Sequence, residues 1–341
     1  MKTRKPFLKA VLLSSMVFLS FLVGGLAANR VLIVGVSEEQ LAGLQKAVPQ
    51  TDLFTAEGDE LVAKVRDADA LIGTCDPELV KRGKKLRWVQ VGSAGVSYCM
   101  YPELVDSNIV LTNAKIIQGP EISDHAFALL LFLARNLGKA VVSMQAGEWN
   151  RQQSTDSVEL RGKTALVIGL GGIGTQVAER ASAFGMKVLG IDPKDISYIN
   201  SVERVGKPDQ LSSFLPSADV IFMCAPITPK SNLMLGSKEF SLMKQGAFFI
   251  NVSRGKIVDT QALVEALRSG HLAGAGLDVT EPEPLPKDHP LWTLENVIIT
   301  PHVAGQSDGI TQRRMELFEE NLRRFEQSLP LRNVVDKQRG Y

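Results

Sequence analysis

The chain has 341 residues, 45% of them hydrophobic and 22% charged, with a formal net charge of +1. That length can bury two cores of ordinary size, and a near-neutral chain without basic blocks carries no electrostatic footprint for nucleic acid. The three cysteines, Cys75, Cys99 and Cys224, are odd in number and scattered, which predicts neither a disulfide framework nor a C-x-x-C metal pair.

At the N-terminus, Lys2, Arg4, Lys5 and Lys9 precede an uncharged, mostly apolar stretch from Ala10 to Ala28. It closes in Gly24, Gly25, Leu26, Ala27 and Ala28, small residues of the kind a signal peptidase accepts. The run also approaches the roughly 20 residues of an uncleaved membrane anchor. Residues 1–28 are therefore expected to be a signal peptide or anchor, set apart from the fold. The protein is expected to be exported or envelope-associated (periplasmic), with a cytoplasmic or tethered form as the alternative. Any membrane contact is expected through this segment only.

Folded sequence begins at Arg30, where RVLIVG reads as a buried strand followed by a helix from Glu38 to Ala47. Further strands are predicted at 69–73, 87–91 and 108–112, with helical stretches between them. Short apolar strands alternating with amphipathic helices imply a parallel α/β sheet covered on both faces. Residues 121–137 form a helix apolar on most of its circumference, expected to lie buried between domains or subunits. A second alternating unit begins at Lys163, with strands predicted at 164–168, 187–191, 219–224, 247–252, 274–278 and 296–300. A long polar–apolar helix at 307–329 has no sheet of its own and is expected to pack back onto the first unit. The expected domains are thus 29–120 together with 303–341, and 121–302.

Gly169, Gly171 and Gly174, with Gly172 and Ile173 between them, match G-x-G-x-x-G in the sequence GLGGIG. A strand leads in and an apolar-faced helix leads out, which is the context that gives the pattern meaning. The first glycine permits a tight turn, the second lets the backbone approach a pyrophosphate, and the third lets helix pack on strand. The free N–H groups at the helix N-terminus suit phosphate oxygens. Asp192 ends the next strand, where a carboxylate can accept from both adenine-ribose hydroxyls and repel a 2′-phosphate. NAD is therefore expected over NADP, with Lys194 as a nearby cation that softens the exclusion.

Three polar segments follow: NVSRG, DVTEPEPLP and TPHVAG. Arg254 ends a predicted strand, and the carboxyl ends of parallel strands form the ligand crevice. Its planar fork suits a carboxylate with an adjacent carbonyl oxygen. Glu283 lies in a loop stiffened by Pro282, Pro284 and Pro286, and His302 follows Pro301 at the next strand end. A carboxylate beside a histidine favours the imidazolium and fixes the tautomer, which makes a general acid for carbonyl reduction and a general base for alcohol oxidation. Of the other histidines, His271 is expected to be solvated and His289 to pack in its loop. His125 reads as a core or cleft residue.

GLGGIG with Asp192, then NVSRG, LDVTEPEPLP and TPHVAG, resembles the D-isomer-specific 2-hydroxyacid dehydrogenases across the whole chain after about residue 29. The resemblance implies a Rossmann-type NAD-binding domain at 121–302 and a flavodoxin-like parallel α/β substrate domain. It implies an NAD-dependent oxidoreductase interconverting a small 2-oxo acid and a D-2-hydroxy acid. Arg254 would hold the acid, His302 would transfer the proton, Glu283 would be the partner of His302, and Asp278 would bind the nicotinamide carboxamide. The main-chain loop Ser93, Ala94, Gly95 and Val96 would bind the substrate carboxylate. Ser97 stands where the family often has Asp, which backbone donors tolerate. Pro226, Val252 and Ser253 complete the expected cofactor set, and no metal is expected. Glu283 differs from the Gln of the superfamily's formate dehydrogenases. Family proteins are commonly homodimers through the nucleotide domain. They also generally work in the cytosol, from which the N-terminal segment departs. The rival reading is a catalytically silent NAD(H)-binding sensor or scaffold of the same fold.

Overall fold

The computed structural model describes residues 28–151 and 156–341. The segment expected to be a signal or anchor falls outside them, apart from Ala28. Among the described residues no single helix is long and apolar enough to cross a membrane.

The first sheet holds β1 (Arg30–Ile33), β2 (Asp52–Phe54), β3 (Ala70–Ile72), β4 (Trp88–Gln90) and β5 (Val110–Thr112). All pairs are parallel, in the order β2-β1-β3-β4-β5. That is the flavodoxin-like order, with β1 and β3 at the switch point. β3 and β4 are buried along their whole length, as strands covered on both faces must be. The sequence did not announce β2: three residues, DLF, become a strand only because β1 offers a ladder. Helix α1 (Glu38–Ala47) starts where predicted, at a capping box in which Ser37 and Gln40 exchange hydrogen bonds.

The second sheet holds β6 (Thr164–Ile168), β7 (Lys187–Ile191), β8 (Arg204–Gly206), β9 (Val220–Met223), β10 (Ala247–Asn251), β11 (Leu272–Leu277) and β12 (Val297–Ile299). The order is β12-β11-β10-β9-β6-β7-β8, again all parallel. Strand order reverses between β6 and β9, which opens a crevice at their carboxyl ends. The sequence predicted six of these strands. β8 was missed because RVG is short and lies at the sheet edge, with two of its three residues exposed.

Helix α2 (Gly119–Ala134) is apolar nearly all round because it packs on β10 and β11 and on α4 (Gly172–Ala183) at once. Its body therefore belongs to the second sheet's helix layer rather than lying between the sheets. The run breaks at Asn136, which adopts a left-handed φ of 54°, and continues as α3 (Leu137–Ala146) at 69° to α2. Helix α5 (Thr260–Arg268) covers the same sheet, capped by Asp259.

After β12 the chain returns to the first sheet, as expected. Helix α6 (Ile310–Glu326) buries Phe318, Leu322 and Phe325 against Val31, Ile33 and Trp88. The tail then pairs Val334 with Thr112, and the Lys337 ammonium donates to the carbonyls of Leu104, Ser107 and Ile109. A buried polar chain sits under α6. The Trp88 indole donates to Thr112 Oγ1, Thr112 donates to Gln90 Oε1, and Asn321 Nδ2 donates to the same oxygen.

One expectation is corrected. Cys75 and Cys99 form a disulfide with Cα atoms 5.7 Å apart, although they are 24 residues apart in sequence. Two scattered cysteines gave no sign of this, since only the fold brings the turn after β3 beside the turn after β4. Cys224 stays free, and desolvation pushes its thiol up to about 12, so it is protonated and inert at neutral pH.

Candidate active site

The glycine loop joins β6 to α4 at the switch point. Gly169 has φ +93° and abuts the Ala225 backbone, so a side chain is excluded there both by conformation and by space. A methyl group on Gly174 would overlap the Gly169 carbonyl, which is the close helix–strand approach the third glycine was expected to provide. Gly171 faces open space. Helix α4 begins with no side-chain cap and no acid in its first turn, leaving its N–H groups to meet an anion. Asp192 is buried at the end of β7. Its Oδ2 accepts the Leu170 N–H at 2.9 Å and its Oδ1 accepts the Lys194 N–H at 2.8 Å. A carboxylate offers about four acceptor positions, so two remain for ribose hydroxyls. The Lys194 ammonium lies 4.4 Å from the Tyr341 ring, brought in by the C-terminal tail.

The three polar residues converge at the ends of β10, β11 and β12. Arg254 follows β10, with Nη1 donating to the Ser253 carbonyl at 2.7 Å. Burial lowers its pKa from the usual guanidinium value while Glu283 and Tyr98 pull it back up, and an arginine remains a cation throughout. Its fork reaches the other sheet, where a methyl group added to Gly95 would overlap Nη2. Glu283 stands between two cis prolyl bonds, Glu281–Pro282 and Glu283–Pro284. Its Oε1 lies 2.6 Å from Nδ1 of His302, as expected. With Nδ1 engaged, Nε2 is the ring nitrogen left for a reacting oxygen. His302 has a left-handed φ of 55°, which costs a side-chain-bearing residue about 1–2 kcal/mol. Its N–H donates to the Asp278 and Thr300 carbonyls, which offsets that cost.

Asp278 is engaged chiefly by the protein itself. Oδ1 accepts from the Thr300 hydroxyl and the Val303 N–H, and Oδ2 accepts from the Ala304 N–H. The carboxylate thus shapes the loop that carries His302, with about one acceptor position left over. His125 Nε2 contacts Thr300 Oγ1 at 2.8 Å, which makes it a satisfied supporting residue. His271, expected to be solvated, instead contacts the Met243 carbonyl at 2.9 Å. His289 packs in its loop and accepts the Leu291 N–H. Val252 and Ser253 are buried beside Arg254, and the Ser253 hydroxyl bonds the Ala225 carbonyl next to Pro226. Among the described residues no group of His, Cys, Asp and Glu could hold a metal.

The loop at 93–96 stands opposite Arg254, but not all of its donors are open. The Ala94 N–H donates to Gln118 Oε1 at 2.7 Å, and the Ala94 carbonyl accepts from Asn113 Nδ2 at 2.6 Å. The Gly95 and Val96 N–H groups have no acceptor among the described residues. Sequence reasoning missed Gln118, Tyr98 and Arg313. Arg313 bonds the Ile117 carbonyl and the buried Glu121 carboxylate at 2.6 Å, clamping α6 to the start of α2. These residues sit in no recognisable motif, and Gln118 and Arg313 act through contacts far apart in sequence.

The family model described as "D-isomer specific 2-hydroxyacid dehydrogenase, NAD binding domain" matches residues 127–304. The chain is 33% identical over 315 residues to D-3-phosphoglycerate dehydrogenase of Methanocaldococcus jannaschii, covering 90% of this chain and 59% of that one. It therefore spans about three-fifths of the length of that curated relative, and 58% of the corresponding Archaeoglobus fulgidus protein. Glyoxylate reductase of Korarchaeum cryptofilum is 34% identical over 288 residues, covering 82% of this chain and 86% of the relative. A D-isomer-specific 2-hydroxyacid dehydrogenase from Xanthobacter autotrophicus Py2, solved with NADPH and MES, superposes with TM-score 0.80 at 28% identity. That match covers 92% of this chain and 100% of the other.

Proposed function

The chain belongs to the D-isomer-specific 2-hydroxyacid dehydrogenase family, and on that premise we propose that it reduces a small 2-oxo acid to a D-2-hydroxy acid, reversibly, with NAD(H). The observation that carries this is the Arg254 fork lying against Gly95, with the His302–Glu283 pair on the neighbouring strand ends. Residues 29–120 with 303–341 act as the substrate domain and 121–302 as the cofactor domain.

Bound NADH supplies hydride chemistry at nicotinamide C4. The uncapped start of α4 and the open side of Gly171 suit its pyrophosphate, and Asp192 suits its adenine ribose. The Xanthobacter relative was solved with NADPH; here the buried Asp192 carboxylate disfavours a 2′-phosphate. Arg254 binds the substrate carboxylate and its C2 oxygen, and Gly95 and Val96 donate main-chain N–H bonds to the carboxylate. His302 gives a proton from Nε2 to the C2 oxygen during reduction and takes it back during oxidation. Glu283 holds the ring through Nδ1, and Asp278 holds the loop beneath it. Substrate packed between the two sheets excludes water.

The test is NADH oxidation by the purified protein against a panel of 2-oxo acids. If NADH binds and no acid is reduced, the enzyme reading gives way to the silent sensor.

Two further expectations belong with this reading. Leu137, Val141, Val142, Met144 and Trp149 form an exposed apolar patch on and after α3, which suits a homodimer through the cofactor domain. Light scattering that returned a monomer would remove that part. The Cys75–Cys99 disulfide and the N-terminal segment together favour export to an oxidising compartment. A reporter fused after residue 35 and active only in the cytosol would remove that one.

A further inference from the structure

We propose that the Cys75–Cys99 disulfide is a positioning element of the acid site, which keeps the Gly95 and Val96 N–H groups aimed at the substrate carboxylate. The inference rests on the role given above to the 93–96 loop, and nothing in the family resemblance assigns it.

The loop is held differently on its two sides. Ala94 is fixed by Gln118 and Asn113, and the Ser93 carbonyl accepts the Ala114 N–H, so this side is tied to the segment after β5. The Gly95–Val96 side, which carries the two donors without acceptors, is tied through the turn that follows it. The Cys99 N–H donates to the Val96 carbonyl at 2.8 Å. The Ser93 hydroxyl donates its single proton to the Gly95 carbonyl at 2.9 Å, so at the 2.7 Å contact between Ser93 and Tyr98 the phenol must be the donor. Gly95 is therefore held through Ser93 by Tyr98, and Val96 by Cys99.

Both anchors stand on the disulfide. Tyr98 and Cys99 share the one-turn helix Ser97–Cys99, and the disulfide pins its last residue to the turn after β3. The Tyr101 hydroxyl donates to the Cys75 carbonyl at 2.7 Å, a second tie between the same two turns. Val96 also buries its side chain in the cluster that holds both cysteines. Apolar packing sets the depth of the loop, but it is non-directional and does not aim an N–H group.

A dithiol reductant gives two electrons and two protons to the disulfide, leaving two thiols and the oxidised dithiol. Two bonded sulfur atoms become non-bonded and must move apart inside a closely packed core. Cys75 runs straight into the helix Pro77–Arg82, which Asp76 caps and buried Leu79 and Val80 anchor, whereas Ser97 and Tyr98 of the other turn are exposed, so the displacement falls on the 95–99 turn. The glycine loop, Asp192 and His302 lie on the other sheet, and Asp192 and His302 form no hydrogen bond with this turn.

The test compares oxidised protein, dithiol-reduced protein and the double variant Cys75→Ala/Cys99→Ala. Reduction or substitution is expected to raise KM for the 2-oxo acid about tenfold, the scale of weakening one charge-assisted hydrogen bond. The kcat at saturating acid and the NADH dissociation constant should stay within about twofold. A merely structural disulfide would lower kcat through the loss of folded enzyme and leave KM alone. An unchanged KM in the double variant overturns the proposal. So does alkylation of both cysteines in protein never exposed to reductant. If no acid is turned over at all, the functional reading fails separately. Amide exchange then decides: faster exchange on reduction at the Cys99 N–H, which is bonded to the Val96 carbonyl, supports the proposal, and unchanged exchange there refutes it.

Discussion

Replacing Gly95 by alanine adds one methyl group where the structure has Nη2 of Arg254. Gly95 is not among the residues with positive φ, so alanine adopts the same backbone without strain. The atoms the methyl meets are the far end of a flexible side chain, which can swing aside. The stability cost is accordingly about 0.5 kcal/mol or less. The functional cost is larger, because the displaced fork is the proposed anchor for carboxylate and carbonyl. Losing one hydrogen bond to a charged group costs about 1.5–3 kcal/mol, and about 1.4 kcal/mol is a factor of ten in rate. A fall in kcat/KM of about 10- to 150-fold is therefore expected, with NADH affinity unchanged. Steady-state kinetics on the best 2-oxo acid, together with a urea unfolding curve, would check both halves. Activity within about threefold of the parent protein would refute the placement of Arg254 at the acid. So would a large drop in stability with kcat/KM intact, since the methyl group would then be meeting something other than the fork.

Glu283→Gln keeps an acceptor for His302 Nδ1 but removes the charge beside it. It should lower kcat by about 10²-fold while NADH fluorescence titrations stay unchanged, and an unaltered kcat would exclude Glu283 from the proton relay. Thr112→Val is nearly isosteric and leaves no cavity, yet it strips the buried Trp88 indole N–H of its acceptor and Gln90 of one donor. The expected loss is about 2–4 kcal/mol, read from the urea midpoint. A loss below about 1 kcal/mol would mean the network under α6 contributes little.

The strands and loops that carry the chemistry were legible because their signals are local. β6 and β7 fall where TALVI and KVLGI placed them, since a strand buried on both faces must be continuously apolar. The glycine loop follows from steric rules that act within a few residues. The pairing of His302 with Glu283 could be anticipated because each lies in the segment that follows a strand of the same sheet, and parallel strands bring those segments to one edge. α2 was read correctly as apolar on most of its circumference, but the second sheet and α4 bury it on one side while Asp124 and Ala128 stay exposed.

What the chain could not announce were relations between segments far apart in sequence. β2 and β8 are three residues each, too short for periodicity, and are strands only beside β1 and β7. Cys75 and Cys99 carry no pairing information until two turns meet. The Ala94 N–H looks like a free donor in sequence and is taken by Gln118 in the fold. Sequence by itself determined the two parallel sheets, the cofactor loop and the identity of the polar trio, because backbone sterics and burial act locally. Tertiary structure alone decided which donors stay open, what braces them, and that Arg254 of one sheet meets Gly95 of the other. Those depend on distances across the cleft, which no spacing along the chain encodes.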